Sequence, residues 1–198
     1  MFTDTYKTDL ISAAFPKYLR KDVNIILEIL SAKAVLHYCI VTDYGNDYTL
    51  DEDTVHIPYR IYWSDATDTE YEKLSQMQKQ ILSCIYTRSC EGHTREKHVR
   101  KLLDMPIEPW VIPFIVKVCD EYVIEILNIT YDKLKTRENT DFKSFCMTNK
   151  AQTIKNNSRM ISYWNEYHRK QNPDLTRYIG SILFSECFGY PDTSYDEK

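Results

Sequence analysis

An all-α fold follows from two features of this 198-residue chain: long stretches in which apolar residues recur every three or four positions, and a supply of only four Gly and seven Pro, too few for many hairpins. The expected form is an irregular multi-helix bundle of antiparallel helical pairs, with a short helical-repeat array as its variant and at most one short extended segment near 55–63. A hydrophobic content of 43% against 27% charged residues is that of a globular chain. The length suits one domain over 1–198, with an acidic tail fraying from about 190.

The elements follow in order. A short helix through Asp9-Leu10-Ile11 stops before Pro16, because the residue before proline avoids helical angles. From Asp22 to Val41, Val23, Ile26, Leu27, Leu30, Ala34, Tyr38 and Val41 fall on one face of a long helix. The stretch from Thr42 to Asp53 shows no period. Val55, Ile57, Tyr59, Ile61 and Trp63 alternate with polar or proline positions, and Pro58 confines that segment to an edge without an obvious partner. Thr67 and Glu70 form a capping box for a helix carrying Tyr71, Leu74, Ile81 and Ile85. Gly92 turns the chain, and Thr94 caps a short basic helix that ends at Pro106.

Pro109 opens a helix reaching about Lys135, apolar over most of its circumference, with Lys117, Glu121, Glu125, Asn128 and Asp132 as a solvated stripe. Asp120 falls on the apolar side, among Val116, Val123 and Leu127. A carboxylate there needs a partner, for which Arg88 and Arg95 are the candidates, making these three the structural buried polar residues. Helices follow from Thr140, from Lys150 to Lys170, and from Pro173 to Gly189.

No stretch of about 20 uncharged apolar residues is present. The start Met1-Phe2-Thr3-Asp4 lacks a basic region before an apolar run. A cytoplasmic protein without a membrane partner is expected, its six cysteines reduced and mostly buried. Cys84, Cys90, His93 and His98 are the only set spaced for zinc. They lack the short knuckle of structural sites, so no metal and no cofactor are expected.

Charge is uneven. Asp43 to Glu72 carries nine acids and one base, whereas Lys133 to Arg177 carries ten bases and four acids. The acidic stretch also holds aromatic residues that a loop could present to a partner. G-x-G-x-x-G, G-x-x-x-x-G-K-[ST], G-x-S-x-G and H-E-x-x-H are all absent from the sequence, so no catalytic residue is assigned. These features predict a non-enzymatic protein-binding module, most concretely an inhibitor or immunity-type protein that neutralises a basic toxin or nuclease. Asp47, Asp51, Glu52, Asp53 and Asp65 would steer the partner, and Tyr48 and Trp63 would anchor it. The alternative is a helical-bundle hydrolase or metal-dependent enzyme using Asp120, Glu121 and Glu125. A third reading is a nucleic-acid-associated factor using the basic C-terminal third, which the overall acidity disfavours.

Overall fold

The computed structural model describes residues 4–34, 40–51 and 53–190. They divide into two compact units, Met1–Val111 and Ile112–Lys198. The chain is mostly helical, with a small amount of antiparallel sheet in the first unit.

In the first unit, α1 (Asp4–Ser12) and a 3-10 turn (Lys17–Leu19) flank Pro16, and α2 (Arg20–Ala34) follows. The long helix expected to reach Val41 does not do so. Residues 35–39 lie outside the described residues, and Ile40–Val41 form a strand, β1. The stretch that lacks periodicity in the sequence is ordered as β2 (Gly45–Leu50), which pairs with β3 (Asp53–Pro58) from Gly45↔Pro58 to Leu50↔Asp53. Strand β4 (Ile61–Tyr62) pairs with β1 through Ile40↔Tyr62 and Val41↔Ile61. The extended segment near 55–63 is therefore partnered along its length, which corrects the expectation of a lone strand.

The two ladders read as one ribbon interrupted by a β-bulge. Thr42–Tyr44 on one side oppose only Tyr59–Arg60 on the other, held by Thr42 N–H to Arg60 O and Tyr59 N–H to Tyr44 O. The extra residue changes which positions face inward, so Tyr48 and Val41 are both buried although one is even-numbered and the other odd. Buried Arg88 clamps the bulge from behind, its guanidinium donating to the carbonyls of Pro58 and Tyr59.

The helix expected from Thr67 is two helices. The Thr67 capping box opens α3 (Asp68–Glu72), and a second box, Ser75 with Gln78, opens α4 (Gln76–Tyr86). Helix α4 packs on α2 and on α5 (Gly92–Leu103), around buried Ile26, Ile81, Val99 and Leu103. A 3-10 turn, Pro109–Val111, ends this unit.

In the second unit, the single helix expected to reach Lys135 is broken into α6 (Ile112–Val118) and α7 (Ile124–Leu134). Val123 takes extended angles, φ −79° and ψ 97°, at the break. Lys117 and Glu121, read as solvated, are instead buried. After α8 (Thr140–Thr148) and α9 (Lys150–Tyr163), residues Trp164–His168 widen into a π turn. Asp174 caps the next turn, and the last helix is the shorter α10 (Ile179–Glu186) rather than one starting at Pro173, packed on α7 and α9 around Leu127, Met160 and Leu183. Gly189, at φ 67°, adopts the left-handed conformation that ends it. The tail expected to fray from about 190 lies, from residue 191 on, outside the described residues.

Candidate functional site

The β2–β3 turn projects Asp51, whose φ of 50° places it in the left-handed region that Asp tolerates better than most residues. Beside it opens a cavity of about 420 Å³ lined by Pro16, Tyr18, Leu50, Asp51, Asp53, Pro109 and Trp110. Three pieces of sequence build it: the turn after α1, the hairpin tip and the 3-10 turn at Pro109. Trp110 is buried, whereas the Tyr18 ring is 72% exposed. Burial raises the pKa of the Tyr18 phenol, and the charges of Glu108, Asp51 and Asp53 raise it further, in that order. Asp53 accepts from the Lys17 amide at 3.5 Å and pairs with the Lys17 ammonium at 3.4 Å. Asp51 has no ion-pair partner among the described residues.

The other residues assigned to this surface are placed differently. Asp47 is exposed and bonded to His56 Nδ1 at 2.6 Å, its cross-strand neighbour. Glu52 lies outside the described residues. Tyr48 is 1% exposed and Trp63 8%, so neither is offered to a partner as an anchor. Among the described residues the exposed tyrosines of this unit are Tyr18, Tyr44 and Tyr62, with Tyr44 stacked on Tyr59 at 5.4 Å. Much of the segment's charge is also compensated internally. Lys97 pairs with Asp65 and Asp68, Lys101 with Asp68, and Lys79 with Glu72.

Asp65 belongs to a second constellation that has no local sequence signature. Its carboxylate bonds His98 Nε2 at 2.8 Å, and His98 Nδ1 lies 3.2 Å from Ser83 Oγ. Tyr71 shares a hydrogen bond with Ser83, and Tyr86 stacks on the His98 ring at 4.8 Å. Burial lowers the imidazole pKa, with only partial compensation from Asp65, so the ring is neutral: Nε2 donates to Asp65 and Nδ1 accepts from Ser83. Burial works against the Asp65 carboxylate, but hydrogen bonds from His98 and Lys97 outweigh it and hold the group at about 2. These are the residue types of a Ser-His-Asp relay. Ser83, however, is fully buried, and a nucleophile must reach its substrate. The arrangement ties α4, α5 and the segment after β4 together.

Arg88, Arg95 and Asp120 are all buried. Arg95 donates to the carbonyls of Ser89 and Cys90, closing the α4–α5 connection. Within its own unit Asp120 pairs with Lys117 Nζ at 2.5 Å and lies 3.6 Å from Arg159 Nε. Glu121 is buried beside it and Glu125 is exposed. Among the described residues no group of three His, Cys, Asp or Glu is arranged to hold a metal ion, and no helix is long and apolar enough to cross a membrane. The described cysteines are free, and Cys39 lies outside the described residues. Burial raises the thiol pKa of Cys84, Cys119, Cys146 and Cys187, which keeps them protonated and unreactive. Compared with protein-family models, curated proteins and solved structures, the chain matches none.

Proposed function

We propose that the chain is a non-enzymatic protein-binding module, most concretely an inhibitor or immunity-type protein for a basic toxin or nuclease, and that the hairpin-tip cavity takes a basic side chain of that partner. The observation that carries this reading is the cavity itself, lined by the aromatic rings of Tyr18 and Trp110 together with the carboxylates of Asp51 and Asp53. Aromatic faces and carboxylates together favour an arginine or lysine head group. The enzyme alternative built on Asp120, Glu121 and Glu125 has less to support it: Asp120 and Glu121 are buried, with Asp120 paired to Lys117, while Glu125 lies at the surface, and the separate Ser83-His98-Asp65 set is closed to solvent at the serine.

The test is affinity capture from the source cell, followed by binding kinetics of the captured protein with the parent and with a D51K/D53K variant. Reversing charges at a rim should slow association and flatten its salt dependence. Y18A should mainly speed dissociation. Equal association rates at every salt concentration for a folded D51K/D53K variant would remove the basis of the proposal.

A further inference from the structure

The second unit carries a cavity of different chemistry. A groove of about 310 Å³ lies where the end of α8, the start of α9 and the residues after α10 meet. Its walls are Cys146, Met147, Thr153, Phe188 and Tyr190, with Lys143 and Lys150 at its edge. Met147 is 73% exposed, so its thioether offers apolar surface to a ligand in the groove. Phe188 is buried beneath, stacked on Phe142 at 5.7 Å.

The polar groups of the walls are already committed. The Thr153 hydroxyl donates within the cluster of carbonyls formed by Cys146 and Asn149, 3.1 Å from each. The Cys146 thiol, pushed up to about 12 by burial, stays neutral. What remains to meet a ligand is apolar surface and two ammonium groups. Among the described residues no carboxylate lines the groove, and neither Lys143 nor Lys150 has an ion-pair partner. Gly189 turns the chain so tightly that a β-carbon there would fall 3.0 Å from Lys143 Cγ, so the lysine stem packs against this turn as part of the groove lining.

We infer that this groove is a binding site for a small amphipathic anion, an aliphatic monocarboxylate whose chain lies on Met147 and Phe188 and whose carboxylate meets Lys143 and Lys150. The volume is at the lower end of small-ligand pockets, and an apolar lining with a few convergent charged groups is their usual composition. Charge selects the anion: a cationic or zwitterionic amphiphile would place a positive head against two lysines. The site binds and does no chemistry, because the thiol at its wall is protonated and buried. It is independent of the hairpin-tip cavity and survives if the protein-binding reading fails.

The experiment is a titration of the full chain, labelled at its methionine methyl groups, with decanoate below its micellar concentration, followed by NMR. The sequence holds five methionines, so each methyl reports its own neighbourhood. The Met147 signal should move saturably, while Met77 and Met105, in the other unit, stay in place. Decanol should bind more weakly, and K143Q/K150Q should weaken decanoate by about tenfold, the effect of losing two exposed charge contacts. Both lysines are exposed, and an unchanged signal from buried Met160 verifies that the variant is folded. A Met147 signal that does not move, movement of all methionines alike, or equal affinity of decanoate for parent and K143Q/K150Q would each overturn the assignment.

Discussion

Replacing Asp120 with Ala tests how the second unit tolerates buried charge. The carboxylate is fully buried, and the Lys117 ammonium 2.5 Å away is 98% buried by side chain. Arg159 lies farther off, at 3.6 Å, and keeps about a third of its side chain in water, although its Nε is buried. Lys117, with 2% of its side chain exposed, cannot rehydrate when Asp120 is removed. Its cost is therefore that of breaking a buried pair, about 3–5 kcal/mol. For a chain of this length each kcal/mol moves the melting midpoint by about 2–4 °C, giving a fall of about 10 °C. The assay is thermal unfolding followed by circular dichroism for the parent, D120A and the double variant K117M/D120A. If the loss comes from a buried cation deprived of its Asp120 contact, removing Lys117 as well should restore part of it, since replacing a buried ion pair by apolar groups is close to neutral. An unchanged D120A melt, or a double variant no better than the single one, would refute this reasoning.

Two further predictions concern the first unit. The His98 pKa is lowered in the folded protein, chiefly by burial, with Lys101 and Lys97 opposing protonation and Asp65 favouring it. The unfolded chain therefore binds the proton first, and stability present above the ordinary histidine value of 6.5 should decline as pH falls below it; urea midpoints should show this slope and H98Q should lack it. G45A should destabilise the ribbon by about 1–3 kcal/mol, because its β-carbon would lie 2.1 Å from the Ile57 carbonyl oxygen, a backbone atom that cannot yield without opening the ladder; an unchanged urea midpoint would count against it.

The helical character of the chain was legible because burial of one face leaves a period of 3.6, and α2, α4, α5 and α9 all carry it. Helix ends were legible only where a cap or a proline marks them. Ser75 and Gln78 form a second capping box, displayed in the sequence, that separates α4 from α3. Nothing comparable marks the α6–α7 break, where neither Gly nor Pro occurs between Cys119 and Val123. The sheet was hidden for a different reason. Alternation between Val41 and Tyr48 is interrupted by the bulge, so a period-two pattern cannot run through both even though both face inward. At the candidate sites, charge was readable and exposure was not. Tyr48 and Trp63 sit in an acidic stretch, but their neighbours in space decide that they are buried. Asp65 and His98 meet across 33 positions, a separation no local pattern reports.

The bulged ribbon also bears on how quickly the first unit can assemble. Its pairs are nested, so once Leu50 and Asp53 meet at the tip, every later pair out to Ile40 and Tyr62 closes by extending a ladder already begun. Each step costs little loop-closure entropy, and hairpins of this kind form in about 1–10 μs. The bridge from Ile61 to Ser89 and the Arg88 clamp must wait for α4 to arrive from farther along the chain. The left-handed turn at Asp51 is thus both the edge of the cavity and the place where the ribbon starts, and a residue that resists that conformation would slow folding while leaving the finished ladder unchanged.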